Sequence, residues 1–409
     1  MTNKQIPVWI DCDTGTDDSV AIMLAHALPE LSVIGLSAVA GNSPLYNTFP
    51  NTRRVVHLLG ADYPVYPGAE RPLMREPHVA GKFHGENGLG DVELPLPDTA
   101  PESTFAWDAL YATAKRMPGE LRLVATGPLT NVAIALTKYP ELKQLLHSIA
   151  LMGGAAVGGN VTPAAEFNIY DDPDAAQIVF KSGVPLVMCG LDVTMQAELR
   201  PADWDEMAAY GNRCGKLVRE LFACAWSAVQ TVGLTGVAQH DSCPIMYLAH
   251  PELFEGQMAG VFVETQAEIT LGKTVTDLQS DKKFGKKNAL VLLKLDREAF
   301  MQILKDCIRT LPYGRIIARQ HPACQRMRGV CLNMQRYLRI QLSAREINML
   351  SVQFLIADNK IGQFTRTDFA NLCLLPKFLC RNACRGEDRL LLRNAEFHGL
   401  SHAVIQIRG

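Results

Sequence analysis

The chain has 409 residues, of which 48% are hydrophobic and 20% are charged, and its formal net charge is −2. This balance is typical of a soluble globular protein, and no stretch reaches the roughly 18 unbroken apolar residues that span a bilayer. The N-terminus enters a short apolar run that ends in acids, which is not the pattern of a secretory signal. We therefore expect no membrane association and a cytoplasmic location. The 11 cysteines are scattered without a CxxC pair, so we expect free thiols rather than a disulfide framework.

The charge is distributed unevenly along the chain. Residues 1–313 hold 25 basic and 36 acidic side chains, whereas residues 314–409 hold 15 basic and 6 acidic ones. A shift of this size usually marks a boundary. We predict one domain over residues 1–312 and an Arg- and Cys-rich extension over residues 313–409. Two interpretations of the extension stay open: an accessory segment whose basic charge attracts RNA or acidic partners, or non-native sequence from a frameshift or read-through.

Short β-rich runs alternate with helical patterns over the first three hundred residues. Strands are predicted, in chain order, over residues 6–10, 31–39, 121–126, 149–154, 185–192 and 288–296. Helices are predicted over residues 17–28, from residue 129 and over residues 297–310. This alternation predicts an α/β fold with a mostly parallel open sheet flanked by helices, in which ligands bind beyond the carboxyl ends of the strands. In the extension, only residues 343–355 keep a helical pattern.

Four carboxylates follow the first predicted strand within eight residues, namely Asp11, Asp13, Asp17 and Asp18. Carboxylates this close repel one another unless a cation neutralises them. A hard ion such as Ca²⁺ or Mg²⁺ prefers oxygen ligands, and Gly15 allows the tight turn that would let the acids converge. The alternative is a helix N-terminus decorated with acids, which accounts for Asp17 and Asp18 but not for all four.

Six segments in order resemble the motifs of the inosine-uridine nucleoside hydrolase family. They read DCDTGTDD at 11–18, AGN at 40–42, FHGENGL at 83–89, ATGPLTN at 125–131, MGG…GN…PAAEFN at 152–168 and HD at 240–241. One such motif is a weak signal, whereas six in order are specific. The resemblance implies the Rossmann-like fold of that family for residues 1–312. It also implies hydrolysis of the N-glycosidic bond of ribonucleosides to ribose and free nucleobase.

The resemblance also implies one Ca²⁺ per subunit, held by Asp13, Asp18, the backbone carbonyl of Thr126, and Asp241. Asp13 would touch both the ion and its bound water and would act as general base, because the ion lowers the pKa of that water. Asp11 would support these ligands from behind. His240 is the predicted acid that protonates the leaving base, and the alternative is a structural histidine beside a metal ligand.

Seven further residues are expected to contact the substrate. Asp17, Asn42 and Asn168 would bind the ribose hydroxyls, Asn160 and Glu166 the 5′-hydroxyl, His84 would assist at the base, and Met152 would pack on the sugar. As alternatives, the Asn and Glu side chains would cap turns and the methionine would belong to the core. A site that pairs hydroxyls rejects analogues lacking them, which predicts poor turnover of 2′-deoxynucleosides.

Two features depart from the family pattern. Thr14 stands where the family usually carries proline, and Phe222 and Trp226 are the only aromatic residues in the segment that commonly stacks on the base. The preference between purine and pyrimidine therefore stays open, although the pair of His84 and His240 favours pyrimidine and inosine substrates.

Two other classes of function compete with a nucleoside hydrolase. A phosphoryl-transfer or other metal-dependent enzyme is disfavoured, because no P-loop or Lys/Arg phosphate clamp accompanies the acids. A non-catalytic ribose-binding relative stays open. The resemblance further implies a homodimer or homotetramer that acts on small-molecule ribonucleosides, with no nucleic acid bound by residues 1–312.

Overall fold

The computed structural model describes residues 4–78, 84–279 apart from 232 and 234, and 286–311, together with three short strands nearer the C-terminus. The chain divides into two compact units, Met1–Gly314 and Arg315–Gly409. Among the described residues, no helix is both long enough and apolar enough to cross a bilayer. For residues 313–409, an accessory segment and non-native sequence from a frameshift or read-through both stay predictions.

The strands of the first unit form one large sheet and one small ribbon. The sheet contains β1 (Ile6–Cys12), β2 (Leu31–Ala38), β3 (Val65–Pro67), β4 (Arg122–Ala125), β5 (Ser148–Met152), β6 (Leu186–Cys189), β9 (Phe254–Val263), β10 (Thr274–Asp277) and β11 (Ala289–Leu295); the ribbon contains β7 (Glu198–Leu199) and β8 (Val237–Ala238). The order of the sheet is β10-β9-β11-β6-β5-β4-β1-β2-β3. From β11 to β3 all neighbours pair in parallel, whereas β9 and β10 pair antiparallel at one edge. The predicted α/β fold with a mostly parallel open sheet is confirmed.

Helices occupy most of the connections between these strands. They are α1 (Thr16–Ala27), α2 (Leu45–Leu58), α3 (Ala106–Arg116), α4 (Thr130–Lys138), α5 (Leu142–Leu145), α6 (Phe167–Asp171), α7 (Pro173–Lys181), α8 (Leu191–Thr194), α9 (Pro201–Ala209), α10 (Arg213–Thr231), α11 (Ser242–Ala249) and α12 (Arg297–Thr310). In α12, the Asp296 carboxylate accepts a hydrogen bond from the Ala299 amide and caps the first turn. Phe300, Leu304 and Ile308 follow at helical spacing and are buried.

The central strands are apolar on both faces because both faces are covered. In β1, Val8 and Ile10 belong to one hydrophobic cluster, whereas Trp9 belongs to another. In β4 the same alternation separates Val124 from Leu123. Side chains of a strand point to opposite faces in turn, so a sheet packed on both sides requires continuous apolar runs. This explains why these strands could be found in the sequence.

The parallel register brings several strand ends to one edge of the sheet. Asp11 pairs with Ser37 of β2 and with Ala125 of β4, and Met152 at the end of β5 pairs with Cys189 of β6. The segments that follow β1, β2, β4, β5 and β6 therefore leave the sheet side by side. These are the segments that carry most of the predicted site.

Three strands of the second unit are described. They are β12 (Gln353–Ile356), β13 (Ile361–Gln363) and β14 (Ala403–Gln406), and they pair antiparallel in the order β13-β12-β14. The helical pattern predicted over residues 343–355 is therefore wrong at 353–355, and residues 343–352 lie outside the described residues. A short apolar run fits either a helix or a strand, and partners distant in sequence decide between them.

Leu123 of β4 is fully buried in the centre of the sheet. We expect Leu123→Ala to lower the free energy of unfolding by about 2–5 kcal/mol, because apolar burial is lost and a cavity remains. Ile269→Ala is the control, since Ile269 is 87% exposed, and it should change the value by less than about 0.5 kcal/mol. Urea unfolding monitored by circular dichroism measures both, and equal small losses would contradict the central position of β4.

Candidate active site

A cluster of buried carboxylates lies beyond the end of β1. Asp17 and Asp18 occupy the first turn of α1, and Asp241 directly precedes α11. Their carboxylate oxygens lie within 4.8 Å of one another, and all three residues are buried. The fold therefore joins the first and the last of the six sequence motifs, which the family resemblance assigns to one metal site. Asp17, predicted to bind ribose, lies within this trio.

Asp13 and Asp18 are held by different hydrogen-bond donors. One Asp18 oxygen accepts from the Gly15 amide at 2.9 Å and from the Asn42 side chain at 3.3 Å, and the other accepts from the Thr126 hydroxyl at 2.8 Å. Asp13 Oδ2 accepts from the Asn42 amide at 2.6 Å. Asp13 Oδ1 is buried and has no hydrogen-bond partner among the described residues. Asn42, predicted to bind ribose, thus contacts both acids.

Two glycines pack directly against the Asp13 carboxylate. A Cβ atom at Gly127 would lie 2.8 Å from Asp13 Oδ1, and one at Gly41 would clash with Asp13 Oδ2. A carboxylate can lie this close to the backbone only where no side chain intervenes. This requirement explains the glycines of the AGN and TGP segments.

The cluster is electrostatically unfavourable without a counter-charge. Burial raises the pKa of Asp13, Asp17, Asp18 and Asp241, and repulsion from neighbouring carboxylates raises the pKa of Asp13, Asp17 and Asp241 further. The pKa of Asp17 rises to about 7. A divalent cation would offset this repulsion, and a donor set made only of oxygens suits a hard ion such as Ca²⁺. The residues present, including the unpartnered oxygen of Asp13, fit such an ion.

Thr126 contacts the cluster through its hydroxyl. Its backbone carbonyl, the predicted metal ligand, accepts a hydrogen bond from the Asn168 side chain at 2.7 Å. The same Asn168 amide group donates to the Met152 carbonyl at 3.1 Å. Asn168 therefore fixes the two strand ends of β4 and β5 relative to each other. Its predicted contact with ribose and the ligand role of Thr126 stay predictions.

Asp11 lies behind the cluster, on the face of the sheet that Trp9 shares. Asp11 Oδ1 accepts from the Asn131 side chain at 2.8 Å and from the Ser37 hydroxyl. The Ser37 hydroxyl in turn accepts from Trp9 Nε1 at 2.8 Å. Burial raises the pKa of Asp11 to about 7. Asn131 received no role from the sequence, although it ends the ATGPLTN segment, and the structure makes it a support of Asp11.

His84 and His240 are each held by a threonine. His240 Nδ1 lies 2.8 Å from the Thr194 hydroxyl, and His84 Nδ1 lies 3.2 Å from the Thr16 hydroxyl. The pKa of each histidine is lowered to about 4, by burial in both cases and, for His84, also by positive charge on His240. Both rings are therefore neutral at neutral pH. The sequence did not predict that Thr194 contacts His240. The only local signal is that Thr194 lies in the short segment after the end of β6.

The polar residues predicted for the 5′-hydroxyl cap the turn that leads into α6. The Glu166 carboxylate accepts from the amides of Gly154 at 2.8 Å and Asn168 at 3.0 Å, and burial raises its pKa to about 7. Asn160 Oδ1 accepts from the Phe167 amide at 2.9 Å. The capping alternative accounts for these contacts, and substrate binding stays a prediction.

Met152 and the residues that depart from the family pattern all make contacts inside the fold. Met152 is buried with Ala155 and Leu191. The Thr14 hydroxyl lies 2.7 Å from that of Thr52 in α2, which ties the acidic turn to this helix without the stiffness of proline. Two aromatic rings pack around Trp204 of α9, with centroid distances of 6.4 Å for Phe222 and 5.6 Å for Trp226.

The burial of a neutral His84 makes the stability of the fold depend on pH. Its pKa is about 4 in the folded chain against 6.5 for an ordinary histidine, so the unfolded chain binds the proton first. The free energy of unfolding should therefore fall as the pH is lowered from 6.5 towards 4. We expect a shallower fall in His84→Gln, and parallel curves near neutral pH, in urea unfolding at a series of pH values. Identical curves would contradict the burial of a neutral ring.

Fold and site together define an α/β enzyme with an acidic centre at the carboxyl edge of a parallel sheet. The family profile described as "Inosine-uridine preferring nucleoside hydrolase" matches residues 8–302, and the chain belongs to this family. The pyrimidine-specific ribonucleoside hydrolase RihA of Citrobacter koseri is 44% identical over 304 residues, which cover 74% of this chain and 97% of RihA. RihA of Escherichia coli strain K12 is 43% identical over 307 residues, covering 74% and 98%.

Solved structures show the same relationship. The purine-preferring ribonucleoside hydrolase from Gardnerella vaginalis superposes with a TM-score of 0.71 at 32% identity, covering 75% of this chain and 98% of that one. The prediction of an N-ribosyl hydrolase is confirmed. Phosphoryl transfer, the alternative enzyme class, does not fit this family.

Proposed function

We propose that this ribonucleoside hydrolase favours pyrimidine ribonucleosides and uses a calcium ion held by Asp13, Asp18, the Thr126 carbonyl and Asp241. The observation that carries the proposal is the cluster of buried carboxylates, in which the Asp13 Oδ1 atom has no partner among the described residues. The substrate class is supported by RihA, which carries the name pyrimidine-specific and is 44% identical over the matched residues.

Cleavage of an N-glycosidic bond builds positive charge on the sugar while the base departs with the electron pair, and a water molecule must attack the anomeric carbon. Asp13 is the proposed general base. The Asn42 amide fixes Asp13 Oδ2, which leaves Oδ1 to take the proton of the attacking water. When bound, the cation would supply positive charge that lowers the pKa of that water and orients the 2′- and 3′-hydroxyls.

His240 is the proposed proton donor to the departing base. When the Thr194 hydroxyl donates to Nδ1, the ring hydrogen resides on Nε2. In this neutral tautomer Nε2 donates a hydrogen bond to the base and stabilises the negative charge that develops there. Transfer of the proton itself requires the imidazolium form, in which Nδ1–H donates to the Thr194 hydroxyl and loss of the Nε2 proton to the base leaves a neutral ring. His84, which lies close enough to interact electrostatically with His240, would assist. Asp17, Asn42 and Asn168 would bind the ribose hydroxyls.

Calcium binding should stabilise the folded chain. We expect Ca²⁺ at about a hundred times its dissociation constant to raise the free energy of unfolding by about 2.7 kcal/mol, because the ion binds the folded state alone. Asp241→Asn should lose most of this gain. Asp306→Asn should keep it, since Asp306 pairs with Arg309 on α12. Urea unfolding with Ca²⁺ or EDTA measures the difference, and the absence of any gain in the native protein would refute the metal site.

The reaction itself is tested by the release of reducing sugar from uridine, cytidine, inosine and adenosine and from their 2′-deoxy forms. We expect ribose from uridine and cytidine first, and a kcat/KM roughly 10⁴-fold lower for 2′-deoxynucleosides, because the polar groups that pair the missing hydroxyl are left unpaired. Asp13→Asn should lower kcat about 10²- to 10⁴-fold, as expected for loss of a general base, and Asp306→Asn should not.

Each result of this assay decides a different part of the proposal. Faster release from inosine and adenosine would overturn the pyrimidine preference and leave the hydrolase assignment intact. A fully active Asp13→Asn variant would refute the general base. The homodimer or homotetramer and the cytoplasmic location stay predictions, and we further propose a place for this enzyme in nucleoside salvage.

A further inference from the structure

The segment Gly154–Gly158, which follows β5, lies between two opposite charges. On one side, Asp192 of α8 accepts hydrogen bonds from the amides of Ala156 at 2.7 Å and Val157 at 3.1 Å. A carboxylate is a strong acceptor for backbone N–H groups. These peptide groups therefore point their hydrogen atoms towards the carboxylate.

On the other side, the Lys273 ammonium group binds the carbonyl oxygens of the same segment. Lys273 Nζ donates to Ala155 at 2.9 Å, Ala156 at 3.2 Å and Gly158 at 3.2 Å. A lysine ammonium has three hydrogen atoms and no acceptor, so these three carbonyls use its full capacity. Partial burial lowers the pKa of Lys273, and the charge of Asp192 opposes that shift.

The local sequence explains why the carbonyls converge. Gly154 and Gly158 have φ angles of +73° and +74°, which favour glycine and turn the chain at both ends of the segment. The Thr274 hydroxyl accepts from the Ala155 amide at 2.9 Å and donates to the Ala155 carbonyl at 2.8 Å. Lys273 and Thr274 thus bind the segment to the start of β10, at the edge of the sheet.

The same segment leads into the proposed sugar site. Asn160, two residues after Gly158, and Glu166, which accepts from the Gly154 amide, are the proposed partners of the 5′-hydroxyl. On the opposite side, α8 carries both Asp192 and Thr194, the residue that holds His240. A shift of the segment would therefore move the 5′-hydroxyl partners, whereas Asp17, Asp18 and Asp241 belong to other segments, at the starts of α1 and α11.

We propose that Lys273 is a positioning residue for recognition of the 5′-hydroxyl, acting by holding Gly154–Gly158 against Asp192. This inference rests on the proposed function, in which Asn160 and Glu166 bind that hydroxyl. Loss of the ammonium group would leave three carbonyls without their donor and free the segment to move. The resulting rise in KM should appear with substrates that carry a 5′-hydroxyl and be absent with those that lack it.

The test compares kcat and KM for uridine and 5′-deoxyuridine, and for inosine and 5′-deoxyinosine, in the calcium-loaded full chain. The variants are Lys273→Met, which removes the charge at similar length, and Lys273→Arg, which keeps the charge but offers a planar fork. Asn160→Ala tests the 5′-hydroxyl contact itself. Lys294→Met is the control, since Lys294 is exposed and pairs only with Glu255 among the described residues.

We expect Lys273→Met to raise KM for uridine or inosine about five- to tenfold, the size of one or two lost hydrogen bonds, while kcat stays within about twofold. The 5′-deoxy substrates should change little, Lys273→Arg should recover part of the loss, and Lys294→Met should match the native enzyme. A thermal melt of each variant shows that it is folded. If Lys273→Met does not fold, Lys273→Arg serves as the test. It should raise KM by a smaller factor, and only for substrates with a 5′-hydroxyl.

The possible failures are distinguishable. If Asn160→Ala loses the preference for the 5′-hydroxyl and both Lys273 variants keep it, the role of Lys273 is wrong and the proposed sugar site stands. If the native enzyme does not discriminate against 5′-deoxy substrates, the proposed contact fails and this inference fails with it. An equal loss on both kinds of substrate would also overturn the inference, because it indicates a general structural role.

Discussion

Repulsion between buried carboxylates is the constraint on which the architecture of the site depends. Asp13, Asp17, Asp18 and Asp241 converge within one buried region, and ions of like charge in such a place destabilise the fold unless they are compensated. The chain compensates in part with the Gly15 and Asn42 amides and the Thr126 hydroxyl. A bound cation would complete the compensation, so folding, metal affinity and catalysis would be coupled through the same four side chains.

The groups proposed to carry out the chemistry are held by neutral partners. The Asn42 amide holds Asp13, and Thr194 holds His240. Behind them, Ser37 and Asn131 hold the supporting residue Asp11. Neutral hydroxyl and amide groups orient a charged or titrating side chain without adding a further charge to the cluster, where it would alter every neighbouring pKa. Paired charges appear farther out, where Asp192 and Lys273 hold the backbone of one segment between them. Neutral groups therefore orient the side chains of the site, and charged side chains hold the backbone of the neighbouring segment.

Much of the fold could be predicted because its signals are local. The predicted strand 6–10 lies within β1, and the predicted helix 297–310 coincides with α12. A strand covered on both faces must be continuously apolar, and a helix with one buried face must repeat at helical spacing. The extension shows the limit of this reasoning. Residues 353–355 fit a helical pattern in the sequence, but in the structure they form part of a strand. Pairing with residues 361–363 and 403–406 decided that outcome, and local pattern could not reveal it.

By itself, the sequence determined the acidic turn after the first strand, the glycines that let backbone approach a carboxylate, and, through six ordered motifs, the family. Only the tertiary structure decided which atoms of these motifs meet. It placed Asp17 beside Asp241, directed Asn168 to the Thr126 carbonyl, and gave Thr194 and Lys273 contacts that no motif suggested. The reason is physical: composition and periodicity report on neighbours along the chain, whereas hydrogen bonds across strand ends depend on how distant segments pack.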